Sequence, residues 1–569
     1  MLKISVEKTL SSFLAWGSLG IALLVTDRIS TEPVNLGKML LLTVIAASAI
    51  TLVSKVIPQF LKQNKIIFIA LLIFLSTSVI SIFFSRNPLE RGFYGTFGRN
   101  TGLLTYLSLA LVFVSASCMS RLESFTKIVK GFLIAGYINI MISLVALAGY
   151  EVFKWTNPFD ALLGTFGNPN FLSAFMGSFI SVLFTLLFTK KLSFLHRLIL
   201  AISMGAGLYI IEGTKSLQGL VVTALGILIT LFFVLKFRFE SKLIRYSYSI
   251  FVVMASGLAV LGTLQKGPLT GVLYKTSVSL RGEYWQAGIN MGVNHPFAGV
   301  GLDSYGTFYR VFRDKSAIIL PGVNTVTDTA HNVFIDFFAG TGVLGLLSYL
   351  TITTSVLFFA IRTFRTQRSY DPLFTAIFVG WVTYQIQSVI SINQIGIAIW
   401  GWLFGGIIIA YSKSSLVEIN VSDITKSNFK TKKSESQKNA DTTIPAGTLL
   451  SLYSAMLIGF MIAFPPFLVD VQLRQAIKLN DKEKLYSVAV RWPMDSTRTN
   501  YVLTRSLPQG QEVTETMIKL AMIAGKKFPE DYATAYAIYQ LSAEGSEQRS
   551  RYKVKLHRLD PLNPEFAPK

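Results

Sequence analysis

Long apolar runs are the feature that most limits what this chain can fold into. Thirteen of them are long enough to cross about 30 Å of hydrocarbon as a helix. They lie near residues 11–26, 38–57, 66–84, 101–119, 126–149, 171–188, 194–211, 217–235, 246–264, 331–361, 372–390, 395–412 and 447–468. A helix in lipid pairs its own backbone groups, which an isolated strand cannot do. The runs therefore predict an all-α, polytopic helical membrane protein with about 12–13 transmembrane helices.

The composition excludes the other broad classes of protein. Charged residues make up 15% of the 569 residues, whereas a soluble domain carries about 25%. Cys118 is the single cysteine, so neither a disulfide nor a cysteine-based metal site can form within one chain. The histidines are His196, His295, His331 and His557. Their wide spacing disfavours a histidine-rich metal cluster, and we expect no metal and no cofactor.

Lysine and arginine are concentrated in every second loop between the apolar runs. These loops lie at 55–65, 121–130, 190–197, 236–245, 362–368 and 413–438. Because basic residues in short loops resist translocation, these loops and the N-terminus are predicted to be cytoplasmic. The loop 85–100, the long loop 265–330 and the chain after the last run then lie outside. The net charge of +22 is spread along the membrane, which indicates a lipid bilayer as partner and no nucleic acid.

The chain changes composition after residue 412. Residues 1–412 hold twelve of the runs, and 413–446 form a polar, Ser/Lys-rich stretch that is typical of a cytoplasmic linker. Residues 447–470 are then predicted to form the last transmembrane helix. The remaining 471–569 have the composition of a soluble, helical domain.

A short motif recurs in this last part of the chain. P-x-[DN] begins at Pro493, Pro529 and Pro561, with spacings of 36 and 32 residues. The spacings are close to the ~34-residue period of tetratricopeptide repeats, so we expect a tetratricopeptide-like helical domain over 471–569. The alternative is an irregular helical tail.

Polar side chains gather at the predicted outer ends of several runs. They are Arg91, Arg99, Asn100, Asn168, Asn170, Lys215, Gln218, Gln385, Gln387, Asn393 and Gln394. Such groups cost about 2.5–3.5 kcal/mol to insert into a membrane, and their shared depth predicts one outward-facing polar cavity. The alternatives are helix caps and interhelical hydrogen bonds for the amides, and headgroup contacts for the arginines.

The long outer loop carries the residues with the clearest chemistry. Its segment 279–293 has the pattern of an amphipathic helix with Arg281, Glu283 and Trp285, and His331 stands where the chain re-enters the membrane. A neutral imidazole can accept a proton from a hydroxyl, and arginines can stabilise a phosphate leaving group without a metal. The alternative for His331 is a helix cap at the interface. Asp336 is expected on a different face of the helix, directed into the bundle.

Together these pieces resemble the O-antigen ligase family of membrane glycan transferases. The resemblance rests on Arg281 with Trp285 four residues on, on the turn HPFAGVG at 295–301, and on His331 leading into the glycine-rich segment 340–345. It extends through the many-span plan, with one large outer loop before the His-bearing helix, to about 1–412. The resemblance implies a GT-C-like fold and an inverting, metal-independent, lipid-carrier-dependent glycosyltransferase in the bacterial inner membrane, with its active site facing the periplasm or exterior.

The resemblance also implies substrates and residue roles. The donor would be a glycan on undecaprenyl diphosphate, with His331 as the base that receives the acceptor proton and Arg281 as the arginine that holds the diphosphate. Further donor or substrate contacts are expected from Arg99, Lys215, Arg91, Gln218, Asn168, Asn170 and Gln387. Many relatives carry Ser-Arg-Gly at the start of the eighth span, where this chain has Lys215, a point charge without the arginine fork.

Several alternatives remain open at this stage. The acceptor hydroxyl could belong to lipid A core, to a protein or to another glycan, which corresponds to a ligase, a protein O-oligosaccharyltransferase or a repeat-unit polymerase. The C-terminal domain suggests a surface that binds the acceptor or a protein partner. A transporter or flippase of a lipid-linked glycan, or a non-enzymatic scaffold, would also use many spans. Against a flippase, the polar groups of the outer side have no evident cytoplasmic counterpart.

Overall fold

The computed structural model describes residues 2–274, 276–424, 445–505 and 515–567, and these residues form helices and no strand. We number the helices in chain order. They are α1 (Ile4–Leu23), α2 (Asn35–Val53), α3 (Ile57–Gln63), α4 (Lys65–Phe84), α5 (Leu89–Tyr94), α6 (Leu103–Ser117), α7 (Leu122–Leu147), α8 (Pro169–Leu186), α9 (Phe194–Gly213), α10 (Gln218–Arg238), α11 (Lys242–Thr263), α12 (Thr270–Leu273), α13 (Thr276–Asn294), α14 (Tyr305–Phe312), α15 (Val333–Thr366), α16 (Pro372–Ile390), α17 (Ile395–Ile424), α18 (Ala446–Leu479), α19 (Lys482–Ala489), α20 (Ser496–Arg505), α21 (Glu515–Lys527), α22 (Tyr532–Leu541) and α23 (Glu547–Leu559).

Every predicted span coincides with a helix. Within the described ranges, eleven helices are long and apolar enough to cross a membrane: α2, α4, α7 to α11 and α15 to α18. The other two predicted spans are α6, which is apolar but has 15 residues, and α1, which has 20. The prediction of an all-α, multi-pass membrane protein is therefore confirmed.

Helix α17 forms the centre of the bundle. Its residues 395–412 are buried throughout, whereas α11 on the periphery buries almost nothing. Glycines allow this central position, because a Cβ at Gly406 would lie 2.4 Å from the carbonyl oxygen of Phe113 in α6. Close backbone approach through small residues is the usual way in which membrane helices gain packing contacts.

Lys38, the first residue of the second apolar run, is a cation inside the bundle. It lies inside α2 with its side chain fully buried, and its Nζ donates to the carbonyl oxygens of Ala22 at 3.0 Å and Thr165 at 2.8 Å. The aromatic face of Phe166 lies 4.9 Å from the same ammonium group. A buried cation needs such partners to offset its lost hydration, so Lys38 joins three segments of the bundle.

The loops that were predicted to lie outside meet at one end of the bundle. Lys154 N donates to Asp27 Oδ2 at 2.6 Å, Leu162 N donates to the carbonyl oxygen of Gly213, and Asn35 Nδ2 donates to the carbonyl oxygen of Gly98. We call this end, which also carries α19 to α23, the capped end. The common position agrees with the alternation of basic loops, while the direction of the capped end in a membrane stays a prediction.

The predicted boundaries around the linker differ from the observed helices. Helix α17 continues to Ile424, past the expected end at 412, and the rest of the predicted linker up to 444 lies outside the described residues. Helix α18 continues without a break to Leu479, past the expected end at 470. Its last turns bury Val469, Leu473 and Ala476 among side chains of the C-terminal helices. The membrane helix thus becomes part of the C-terminal core.

Residues 480–567 are called here the C-terminal domain, and their described part includes α19 to α23. Each P-x-[DN] motif starts a helix, because its third side chain accepts a hydrogen bond from the first helical turn. Asp495 caps α20, Asp531 caps α22, and Asn563 caps the short 3₁₀ helix Pro564–Phe566. N-cap aspartate and asparagine stabilise a helix by about 1 kcal/mol. The motif therefore recurs in the sequence because it marks the beginning of successive helices.

Candidate active site

The first part of the site is the helix α13, which confirms the predicted amphipathic segment. Leu280, Tyr284, Ala287 and Met291 recur at helical spacing and pack into a small core with α14 and α15. Arg281 follows Leu280 and is partly buried. Its pKa is lowered by burial, and it forms no ion pair with any residue that the structure describes. It is a partly desolvated cation whose charge is not neutralised.

The two glycine-rich motifs of the sequence form one backbone joint. The turn 295–301 lies against a kink in α15, where Val300 N donates to the carbonyl oxygen of Ala339 and Val343 N donates to that of Pro296, each at 2.8 Å. Gly342 has φ 74° at the kink, and a Cβ there would lie 2.4 Å from the carbonyl oxygen of Pro296. A side chain would both strain the backbone and push the two segments apart. This joint fixes the start of α15.

His331 stands two residues before α15 but does not cap it. The side chain of Asn332 accepts the hydrogen bonds from Phe334 N and Ile335 N, which is the work of an N-cap. His331 has φ 53°, an uncommon left-handed conformation for a residue with a side chain. Its ring stacks on Tyr284 of α13, with centroids 5.7 Å apart and planes 29° apart. The imidazole is therefore free of the capping role that was its main alternative.

Arg99 comes to the same place from the loop between α5 and α6. Its Nε and Nη2 grip both carboxylate oxygens of Asp328, at 2.6 Å and 2.7 Å. The loop itself is tied down by Asp303, whose Oδ2 accepts from Thr96 N at 2.8 Å and from Thr101 N at 3.2 Å. A bidentate arginine–carboxylate pair fixes direction as well as distance. Asp303 and Asp328 thus position the guanidinium close to the segment that bears His331.

The charges in this cluster act on one another. The pKa of His331 is lowered from 6.5 to about 4, first by burial and then by the positive charges of Arg99 and Arg281. Burial raises the pKa of Asp328, but Arg99 outweighs it and the pKa is lowered overall. Burial raises the pKa of Asp303 to about 6. At neutral pH the imidazole is therefore neutral, and one of its ring nitrogens can accept a proton.

A small polar cavity extends inward from Arg99 and Asp328. Its volume is about 40 Å³, which is room for a few water molecules at roughly 10–15 Å³ each. Asp336, which was expected to point into the bundle, lines it together with Asn393 and Gln394 of the turn between α16 and α17. Asp336 Oδ1 also accepts from Ala330 N at 2.7 Å, next to His331. Several of the polar residues of the sequence therefore do share one cavity.

Other predicted site residues lie at the junctions of α8, α9 and α10 and have local partners. Asn168 caps α8 by accepting from Asn170 N, and Asn170 Oδ1 accepts from Ser216 Oγ at 2.7 Å. Lys215 Nζ lies 2.8 Å from Asp160 Oδ2, with both side chains exposed. Gln218 is buried at the start of α10, and no described residue hydrogen-bonds its amide group. Lys215 is not among the charges that act on His331.

Two further predicted residues support neighbouring structure. Gln387 Nε2 donates to the carbonyl oxygen of Ile392 at 3.0 Å and so holds the turn after α16. Arg91 is buried and its Nη1 donates to Ser496 Oγ of the C-terminal domain at 3.3 Å. Within the described part of the chain, no group of three or more His, Cys, Asp or Glu side chains could hold a metal ion.

The structure also adds residues that sequence reasoning passed over. Asp328 and Asp303 position Arg99, and Tyr284 supports the ring of His331. Asp328 stands three residues before His331 in TDTAHN, and this closeness is the sequence feature that could have indicated its place in the site. Its partner is 229 residues away in the chain, so the pair could not be read from sequence spacing.

Comparison with known proteins matches part of the chain to a family. The family model described as O-antigen ligase matches residues 198–350, which run from α9 into α15 and include Arg281, the turn 295–301 and His331. The chain carries an O-antigen ligase domain. No curated protein matches the chain. The match leaves out Arg99 and the C-terminal domain, both of which contact the matched residues in the structure, through Asp328 and Arg313 respectively. Such a domain indicates a glycosyltransferase of the ligase or polymerase type.

Proposed function

We propose that this protein transfers a glycan from an undecaprenyl-diphosphate carrier to an acceptor hydroxyl, at the outer face of the bacterial inner membrane. The observation that carries the proposal is the neutral imidazole of His331, whose pKa is lowered by burial and by the positive charges of two arginines, Arg99 and Arg281. A hydroxyl acceptor needs a base, and a departing diphosphate needs fixed positive charge. The cluster offers both within the O-antigen ligase domain and the loop that docks on it.

The proposed reaction is a single displacement at the anomeric carbon. The acceptor oxygen forms the new bond to that carbon while the bond from the carbon to the diphosphate oxygen breaks, so the configuration inverts. The acceptor proton goes to His331, and undecaprenyl diphosphate leaves with the bonding electrons. Arg281 is the main diphosphate contact because no carboxylate among the described residues pairs with it, and Arg99 is the second because Asp328 already engages it.

Donor binding is expected to switch on the base. With a pKa of about 4 the imidazole is a weak base in the free protein. A diphosphate placed against Arg281 and Arg99 would cancel the charges that hold this pKa down, and the imidazole would become more basic. Proton acceptance is thereby coupled to the presence of the leaving group.

The test is transfer from a purified undecaprenyl-diphosphate glycan, with EDTA present. We expect wild type and Arg28→Ala to be equally active, Arg281→Ala to lose about 100-fold or more, and Arg281→Lys to recover only part, because an ammonium cannot grip two oxygens as a fork. Loss of wild-type activity in EDTA that Mg²⁺ or Mn²⁺ restores would rule out the metal-independent mechanism. Equal activity of all four proteins would remove Arg281 from the site.

The same assay identifies the acceptor. Lipid A core, a Ser/Thr-rich protein and a second lipid-linked repeat unit are offered in parallel, which distinguishes ligase, protein O-oligosaccharyltransferase and polymerase activities. We propose the ligase activity first, because the matching family model carries that description. If product forms with only one of the other two acceptors, the activity that uses that acceptor replaces the ligase activity in the proposal.

A further inference from the structure

The C-terminal domain is joined to the outer loop by a buried cluster of three charged side chains. Arg310 Nη1 lies 2.7 Å from Asp560 Oδ2, and Arg313 Nη2 lies 2.7 Å from Asp560 Oδ1. Asp560 and Arg313 are completely buried, and Arg310 is almost so. Both arginines also donate to the carbonyl oxygen of Val323. Two guanidinium groups and one carboxylate are thus withdrawn from water, which is tolerated only while all partners are present.

The cluster is connected to His331 through aromatic side chains. Arg310 belongs to α14, and the same helix carries Tyr305 and Tyr309, whose rings lie 6.1 Å apart. Tyr305 Oη donates to the carbonyl oxygen of Tyr284, and Tyr309 makes an edge contact with the Tyr284 ring. Tyr284 in turn stacks on the imidazole of His331. Three packed contacts therefore lead from Asp560 to the proposed base.

A second set of contacts joins the same domain to the loop that carries Arg99. Lys527 Nζ lies 2.6 Å from Glu90 Oε1, and Arg91 Nη1 donates to Ser496 Oγ at 3.3 Å. These partners lie on α5, directly before the loop of Arg99. The C-terminal domain therefore contacts both segments that bring the charged site together.

We propose that Asp560 is a positioning residue of the transfer reaction, through which the C-terminal domain holds α14 and Tyr284 against His331. This inference rests on the proposed function. It gives the C-terminal domain a role inside the active site, in addition to any binding of acceptor or partner. Removal of the carboxylate leaves Arg310 and Arg313 buried without their counter-charge, so α14 is expected to move and water to reach the imidazole.

The test uses the full-length protein and two measurements. The first is transfer by Asp560→Asn, which keeps the shape of the side chain and removes its charge. We expect a fall of about 10- to 100-fold that lies mainly in kcat, since a small displacement near reacting groups costs rates of that order. Asp560→Glu should recover part of the rate. The matched control is Glu515→Gln in the same domain, whose exposed pair with Lys519 has no contact with the site.

The second measurement does not depend on activity. Carbethoxylation of neutral imidazole by diethyl pyrocarbonate is followed by peptide mass spectrometry against pH, with the exposed His196 and His295 as internal references. The charged groups that act on His331 are Arg99, Arg281 and Asp328, and none of them is altered. In Asp560→Asn the midpoint of the pH dependence of His331 modification should rise from about 4 toward about 6.5 as water enters. The rate of carbethoxylation of His331, relative to that of His196, should rise as well.

Each outcome decides one of the two claims. A folded Asp560→Asn protein with the wild-type rate of transfer and the wild-type titration of His331 would overturn the positioning role. If the variant does not fold, Arg310→Lys keeps the charge but loses the planar guanidinium and its stacking on Tyr532, and it should shift the same two readouts by a smaller amount. A wild-type protein without transfer activity would refute the proposed function alone, because the modification of His331 still tests the positioning.

Discussion

Two regions at the capped end have the same kind of sequence but differ in structure. Around His331, the charged side chains are buried or half-buried, and each alters the pKa of its neighbours. At the junctions of α8, α9 and α10, Asn168 and Asn170 accept hydrogen bonds from nearby backbone and hydroxyl groups, and Lys215 pairs in open solvent. The buried amide of Gln218 lacks a partner among the described residues, but it carries no charge. Polar residues at helix ends are thus a weak guide to a site. Charge that is buried and only partly neutralised distinguishes the first region from the second.

The largest expected effect concerns His331. We expect His331→Ala to reduce glycan transfer by about 10²- to 10⁴-fold, the range typical of a general base. Because Asn332 supplies the helix cap, the protein should still insert and fold. The rate is compared with that of His196→Ala, which removes an exposed imidazole at the opposite end of α9 from Lys215. Equal rates for the two variants would show that His331 is not the base.

The pH dependence provides the next test. Only neutral His331 can accept the proton, so activity is lost as pH falls through its pKa, which is about 4 in the free protein. The acid limb of kcat/KM should lie there, and the acid limb of kcat should lie at higher pH because bound diphosphate cancels the charges of Arg281 and Arg99. Acid limbs of kcat/KM and kcat at the same pH would contradict the proposal that donor binding makes His331 more basic.

A smaller effect, on stability, is expected when a glycine is replaced by alanine. The size of the effect should differ between Gly342, near His331, and Gly205 in α9. Gly342→Ala introduces a Cβ into a left-handed residue 2.4 Å from the Pro296 carbonyl oxygen, so we expect a loss of about 1–3 kcal/mol. Gly205 in α9 is helical and a Cβ there meets nothing within 4 Å, so Gly205→Ala should leave the stability unchanged or raise it. Thermal unfolding of both variants in detergent measures the difference, and a stable Gly342→Ala protein would show that the joint is more adaptable than its geometry indicates.

The smallest effect on transfer is expected at Asn168. Its side chain caps α8, and its loss should cost about 1 kcal/mol of stability. Transfer should stay within about twofold of wild type, as for most substitutions remote from the chemistry. A large loss of transfer by a stable Asn168→Ala protein would extend the site to the α8 junction.

Local pattern was enough to predict the elements of the fold. The apolar runs predicted the spans, and the helical spacing of apolar residues between 279 and 293 predicted α13. Helix ends were less predictable, because α17 and α18 continue past the polar boundaries that composition indicated. A helix can extend beyond the membrane when its next turns find tertiary contacts, as α18 does in the C-terminal core.

The site was predictable only in part. His331 and Arg281 carry local signals and lie in the segments that resemble a known family. The partners that give the site its electrostatics are distant in the chain: Asp328 lies 229 residues from Arg99, and Asp560 lies 247 residues from Arg313. Burial and pairing of charge arise from the tertiary fold, so neither the cluster around His331 nor the local role of Lys215 follows from residue type.

The central claim is that buried, mutually perturbing charge marks the active site and exposed polar pairs do not. One measurement compares Arg99→Gln with Lys215→Gln in the same transfer assay, because each removes one cation from a different region of the capped end. We predict that Arg99→Gln lowers transfer by about 100-fold, as expected when a cation near a developing diphosphate charge is lost, and that Lys215→Gln stays within about threefold of wild type. A large loss for Lys215→Gln beside normal transfer by Arg99→Gln would contradict the account and move the donor site to the α9–α10 junction.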